Sequence, residues 1–257
     1  MVSTQLLRFS PGNAKLDKRI ASVSLPSGFT CPGALECLSK FPRHGKKGDL
    51  KDGPYAKFRC FSATAEAAFP SVRSNRWSNF DALKECESLE EMVDLILESL
   101  PKQDIIRIHV GGDFFKKMYF DAWFEVSKRC PDKLFYAYTK SLKFWVARID
   151  ELGQSGTENF KLTASRGGLH DCLIDEHELR EAVVVFSEEE AEGLGLEIDH
   201  DDSHAFAGNE TFALLIHGQQ PAGSEAQEAV KKNRKKGIGG YNSDKKKRVL
   251  ATVNKQS

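Results

Sequence analysis

The stretch Ile105-Ile106-Arg107-Ile108-His109-Val110-Gly111-Gly112-Asp113 is a β-branched run that breaks into two glycines and an acid. Such a run reads as a buried strand ending in a tight turn. Working outward, four more runs have the same character: Leu134–Tyr138, Phe160–Ala164, Ala182–Phe186 and Thr211–His217. Between them the periodicity changes to helical. Tyr119, Ala122, Trp123 and Val126 keep the spacing of one helix face, and so do Leu142, Trp145, Val146 and Ile149. Ser88 with Glu91, and Ser187 with Glu190, read as capping boxes. The first opens a helix with Leu89, Met92, Val93, Ile96 and Leu97 on its apolar face, and Pro101 stops it. Strand starts recur about every 25 residues, the spacing of β-helix-β units, which force parallel strands with right-handed crossovers. The expected class is α/β with a mostly parallel sheet. Five strands are too few for a closed eight-stranded barrel. Ala21–Leu25 and Ala56–Phe61 are two further candidates, giving a partial (β/α) barrel-like or open sheet.

The chain of 257 residues is long enough for one large core. The expected division is a single α/β domain over residues 1–236, with a cysteine-bearing N-terminal segment, and a flexible basic tail over 237–257. Lys231, Lys232, Arg234, Lys235, Lys236, Lys245, Lys246, Lys247 and Arg248 crowd that end. Elsewhere charge is balanced, 37 Lys and Arg against 37 Asp and Glu, so no global field favours nucleic acid. The tail is the expected place for a weak nucleic-acid contact through phosphates. No apolar run approaches the ~20 residues of a membrane span, and the first residues lack a secretory h-region, so no membrane partner is expected.

In parallel α/β folds ligands gather where strands end. Here the strand ends carry Gly111, Gly112 and Asp113, then Thr139 and Lys140, then Ser165, Arg166, Gly167 and Gly168, and finally His217 to Gln220. One rim would thus hold a carboxylate, two cations, hydroxyls and histidines, with glycines that let a ligand approach the backbone. Gly111, Gly112, Asp113, Lys140 and Arg166 are the candidate ligand-binding residues. The plainer alternative is polar loop, with Asp113 capping the helix that begins near Lys116 or pairing with Arg166. The run Asp199 to His204 offers His200, Asp202 and His204 to a divalent metal, though a solvated acidic loop is the simpler reading.

Six cysteines are too sparse for a disulfide scaffold. Cys31 and Cys37 lie in Cys31-Pro32-Gly33-Ala34-Leu35-Glu36-Cys37, where Pro-Gly favours a turn that swings two thiols together. Cys60 follows a long polar insertion, beside Arg59 and the start of a helix, where positive charge favours thiolate. Thiolates suit zinc or an iron–sulfur cluster, whereas buried free thiols are equally compatible with the spacing. Cys130 continues the Tyr119 face and Cys86 ends an amphipathic stretch, so both read as core. Cys172 follows a strand end and is the best fourth thiolate, with His170 or an exogenous group as alternatives.

Cys31-Pro-Gly-Ala, Arg107-Ile-His109 with Gly111-Gly112-Asp113-Phe, and Phe135-Tyr-Ala-Tyr-Thr139-Lys140 occur in an order that resembles the phage gene product 88 family, over roughly Cys31 to Tyr241. The chain is also similar to a group of marine bacteriophage proteins that bind iron–sulfur clusters. More distantly it resembles radical S-adenosylmethionine enzymes, partial α/β barrels in which three cysteines hold a four-iron cluster. That resemblance implies a [4Fe-4S] cluster on Cys31, Cys37 and Cys60, with the fourth iron open; Cys172, from its place at a strand end, is the candidate fourth ligand if a tetrad forms. It further implies an S-adenosylmethionine site at Gly111-Gly112-Asp113. The departures are cysteines spread along the chain rather than gathered in one loop, and Asp in place of the usual Glu. The leading expectation is a phage iron–sulfur protein with a redox or structural role and a redox or small-molecule partner. It would act in the host cytoplasm or travel in the virion. The alternatives are a radical S-adenosylmethionine-type enzyme, and a structural zinc or virion protein that contacts DNA through its tail.

Overall fold

The computed structural model describes residues 5–11 and 18–238. Its strands are β1 (Ser10–Pro11), β2 (Ile20–Val23), β3 (Ser39–Lys40), β4 (Lys51–Asp52), β5 (Ile105–Ile108), β6 (Leu134–Thr139), β7 (Phe160–Ser165), β8 (Glu181–Val185) and β9 (Phe212–Leu215). Its helices are α1 (Phe61–Ala68), α2 (Pro70–Glu85), α3 (Leu89–Ser99), α4 (Lys117–Arg129), α5 (Leu142–Val146), α6 (Ile149–Leu152), α7 (Cys172–Glu176), α8 (Glu188–Leu194), α9 (Ser203–Ala207) and α10 (Glu225–Lys235). Seven strands form one sheet in the order β1-β2-β5-β6-β7-β8-β9, while β3 and β4 make a separate antiparallel hairpin. From β2 to β9 every pairing is parallel, and β1 closes one edge antiparallel to β2. Each strand of the sheet thus lies beside the one that follows it in the chain.

The register decides which side chains meet the helices. Ile106 stands between Ala21 and Phe135, and these face the main core with Ile108, Ala137, Leu162 and Ala164. Helices α3 and α4 cover that face. Met92, Val93 and Ile96 of α3, and Tyr119, Ala122, Trp123 and Val126 of α4, are fully buried against it. At both expected boxes the serine caps the helix, Ser88 Oγ accepting from Glu91 N–H at 3.2 Å and Ser187 Oγ from Glu190 N–H at 3.2 Å, while the glutamates reach one residue further back, to Glu87 N–H at 2.8 Å and Phe186 N–H at 2.7 Å. Cys86 and Cys130 pack against the same core.

All five runs expected as strands are strands, and Ala21–Leu25 is β2. Ala56–Phe61 is not: Phe61 opens α1, and the residues before it form a loop. The Gln220 side chain takes both backbone groups of Arg59, accepting its N–H at 2.7 Å and donating to its carbonyl at 3.2 Å. Those groups are therefore closed to a ladder. The helix face Leu142, Trp145, Val146 and Ile149 is split into α5 and α6, with Trp145 still fully buried and its indole N–H on Gly153 O at 2.9 Å. Lys231 to Lys235 belong to α10, and the basic residues Lys245 to Arg248 lie outside the described residues.

The opposite face of the sheet carries Tyr136 and Arg107 under α9 and the loop before it. Asp202 pairs with Arg107 and accepts from Tyr136 Oη at 2.9 Å. Asp199 lies beneath, 3.5 Å from His204 Nδ1. Asp202 is thus engaged by an arginine and a tyrosine, not presented with His200 and His204 to a metal. Burial, with repulsion from Asp202, lifts Asp199 to about 6. The folded protein holds this proton more tightly than the unfolded chain. The carboxyl therefore favours the fold fully below its ordinary value of 3.8 and loses that advantage as pH rises through about 6. Asp199→Asn is expected to flatten that decline and to raise stability near neutral pH by roughly 1–3 kcal/mol, measured by urea denaturation across pH.

Candidate metal centre

Cys31 lies in the turn that follows β2, Cys37 six residues on, and Cys60 caps the N-terminus of α1. The fold draws these segments to the ends of β5, β6 and β7. Leu25 N–H reaches Gly111 O at 2.8 Å, Glu36 N–H reaches Gly167 O at 2.9 Å, and Leu169 N–H reaches Gly33 O at 2.9 Å. Glycines permit this approach: a Cβ on Gly33 would lie 2.0 Å from the Lys140 carbonyl oxygen, and one on Gly111 would lie 2.1 Å from Ser62 Oγ. Gly112 has φ +85, a backbone state that other residues rarely adopt.

Each of the three thiols lies within range of the others' charge. Burial pushes the Cys31 thiol well up, with Asp113 the next cause and Cys60 and Cys37 adding to it. Burial also raises Cys37, against the pull of the nearby Lys140. Burial and then Cys37 push Cys60 up to about 11. Opposing these are nearby backbone groups. Gly28 N–H lies 3.3 Å from Cys31 Sγ, and the backbone of Ser62 and Ala63 at the start of α1 favours negative charge on Cys60, without a side-chain cap bond there. Burial thus favours neutral thiols, and the neighbouring backbone groups work against it. Alkylation of metal-free protein should follow from this. Cys172, which is exposed, should react first, and Cys60 should lag an ordinary thiol of pKa 9.0 by about a hundredfold, read by timed mass spectrometry.

Among the described residues no three His, Cys, Asp or Glu side chains converge tightly enough to hold a single metal ion. Thiolates that share one zinc must all sit ~2.3 Å from it. Thiolates of a polynuclear cluster bind different irons and stand further apart.

Cys172 begins α7 and is exposed, and it is absent from the charges acting on the other three thiols. Asp113 is buried, and its oxygens accept Phe114 N–H at 2.7 Å, Thr139 Oγ1 at 2.7 Å and Lys140 N–H at 2.8 Å. It ties β5 to β6 and does not cap α4, whose first turn follows Lys116. Nor does it pair with Arg166, which binds Glu181 at 2.5 Å and Asp175 at 2.7 Å. Lys140 Nζ donates to Ser165 O at 2.5 Å, Ser165 Oγ at 2.9 Å and Arg166 O at 2.7 Å. Asp113 and Lys140 thus lock the strand ends beneath the cysteines, while Gly111 and Gly112 let the cysteine loops sit down on them.

Sequence reasoning missed the polar support behind Cys60. Glu66 of α1 is fully buried and pairs with Arg76 of α2 at 2.6 Å. Its Oε1 also accepts Ser27 N–H at 2.9 Å and Ser27 Oγ at 2.8 Å, while Oε2 and the nearby Ser62 Oγ have no partner among the described residues. Arg76 in turn favours negative charge on Cys60. The only signal in the sequence was the i, i+10 placement of opposite charges in a stretch without an apolar stripe.

Residues 4–237 match the Gene product 88 family profile. The chain belongs to the gene product 88 family. Within the family's relatives, the Gene 88 protein of Mycobacterium phage L5 is 28% identical over 130 residues, covering 46% of this chain and 47% of that protein. The aligned stretch is thus about half the length of that relative. No solved structure matches the chain. The protein is therefore a phage gene product, and no helix among the described residues is long and apolar enough to cross a membrane.

Proposed function

We propose that this family member is an iron–sulfur protein that holds a [4Fe-4S] cluster on Cys31, Cys37 and Cys60. The observation that carries the reading is that three thiols from two segments are buried beside the strand ends within range of one another's charge, with the Gly28 N–H on Cys31 sulfur. The protein's contribution would be thiolates, a low-dielectric shell, and N–H groups that raise the cluster's potential. Three cysteines leave one iron for another ligand, and Cys172 would have to move inward to supply it. The sequential strand order, with α3 and α4 on one face, supports a partial (β/α) barrel as the scaffold.

A redox or structural role with a redox or small-molecule partner fits this centre. Loading would take place in the reducing host cytoplasm, with carriage in the virion as a later step. The zinc reading asks for ligands gathered around one ion. The S-adenosylmethionine reading asks for an acid free to meet an amino group, and Asp113 already accepts three hydrogen bonds.

Protein purified without oxygen should carry about four iron and four acid-labile sulfide per chain. Zinc alone, or intact thiols with neither iron nor sulfide, would sink the proposal.

A further inference from the structure

Four aromatic rings form an arc beside the cysteine loops. Phe29 lies 5.1 Å from Trp77, Trp77 lies 6.0 Å from Phe80, and Phe80 lies 5.0 Å from Phe115, centroid to centroid. A cation stands over each ring in turn: Lys40 at 5.4 Å, Arg43 at 5.6 Å, Lys84 at 5.4 Å and Lys116 at 5.5 Å. The arc draws on four separate segments: the turn after β2, helix α2, the loop before α4, and the hairpin β3–β4 with its connection. Both its ends, Phe29 and Phe115, line a cavity of about 360 Å³ whose other walls include Lys40, Leu169 and Cys31. Phe29 is 42% exposed and Leu169 53%, so the mouth presents ring and aliphatic surface to solvent.

The charge on this face is lopsided. Residues 39–59 hold seven Lys and Arg against two Asp, in a chain whose net charge is zero. Arg43, Lys57 and Arg59 also bind Asp81, Glu36 and Asp52. Lys40, Lys46, Lys47, Lys51, Lys84 and Lys116 form no ion pair among the described residues. Rings interleaved with unpaired cations suit a ligand that carries flat π-faces and a phosphate at each repeat. A duplex hides its bases and would use only the cations, and an acidic polypeptide would use no ring face.

We propose that this face binds single-stranded nucleic acid, with a base stacking on the exposed ring of Phe29 at the cavity mouth beside the half-buried Trp77, and phosphates running along Lys40, Lys84 and Lys116. None of the residues named for this site belongs to the basic C-terminal stretch 237–257.

The test uses the full chain with fluorescently labelled 20-mer oligonucleotides, single-stranded and duplex. Trp123 and Trp145 are fully buried, so Trp77 is the tryptophan within reach of a ligand, and its fluorescence reports the arc. Single strands should bind at least about tenfold tighter than duplex and quench Trp77. Phe29→Ala, at an exposed position, should weaken binding by roughly 5- to 100-fold, the range for one lost base stack. Phe29→Leu, which keeps apolar area without a π-face, should weaken it nearly as much. Lys84→Glu and Lys116→Glu should each lower affinity and reduce the salt dependence by about 0.7 in slope. Equal binding of single strand and duplex without quenching would overturn the proposal, because only charge would then be at work. So would full affinity in both Phe29 variants. Displacement of the oligonucleotide by polyglutamate at equal charge would also overturn it, assigning the face to an acidic protein.

Discussion

Glu66→Ala should lower the unfolding free energy by roughly 3–5 kcal/mol, the cost of leaving a buried charge without its partner. Arg76 would remain inside, keeping only Ser62 O at 3.0 Å and Ser27 Oγ at 3.4 Å as acceptors. Ser27 would lose the acceptor for both its N–H and its hydroxyl. Since Ser27 and Ser62 flank Cys31 and Cys60, the loss would spread to the thiols. Urea denaturation of the metal-free protein reads the stability term. A double variant replacing Glu66 and Arg76 with apolar residues of similar volume should recover most of the loss, because no charge is then stranded. If Glu66→Ala costs less than about 1 kcal/mol, the pair is solvated and the account of this support is wrong.

Removing any one of three cysteines should have the largest functional effect. Cys31→Ala, Cys37→Ala and Cys60→Ala are each expected to abolish stable iron retention after anaerobic purification. Cys86→Ala and Cys130→Ala should leave it unchanged, since those thiols pack against the core. Cys172→Ala is the discriminating case. Its exposure at the start of α7 predicts near-full iron content, with at most a changed potential. Cys60→Ala should also stabilise the metal-free protein at high pH. The native thiol, held at about 11, favours the fold below the ordinary 9.0 and loses that advantage as pH rises through about 11.

The sheet was legible because its strands alternate. Ile106 and Ile108 turn to one side and Arg107 to the other, and β-helix-β spacing then leaves little freedom in topology. Helix α2 was legible only at its end, as the amphipathic stretch that closes at Cys86. Beside Ala82 and Leu83 it buries Arg76 and Asn79, polar residues that periodicity rules read as solvent-facing. Ala56–Phe61 misled in the opposite direction. Phe58 and Phe61 are apolar for different reasons, one packing near Val184 and Phe186 and the other stacking 4.8 Å from His217. At the strand ends, residue types pointed to loops but not to the contacts those residues make. Asp113 and Lys140 looked like ligand groups, yet both are spent on backbone atoms at the strand tips. Nothing in one sequence marks a lysine as a brace rather than a binder, because the difference lies in where strand ends fall in space. The approach of the three cysteines was likewise a matter of tertiary contacts: Leu25 to Gly111, Glu36 to Gly167 and Gln220 to Arg59 join segments far apart in the chain.

Electron paramagnetic resonance of the reduced, anaerobically isolated protein addresses the shared centre directly. The account predicts the S = 1/2 signal of one reduced four-iron cluster, lost in Cys60→Ala and kept in Cys172→Ala. A silent sample with its thiols intact, or a signal that survives Cys60→Ala, would contradict it.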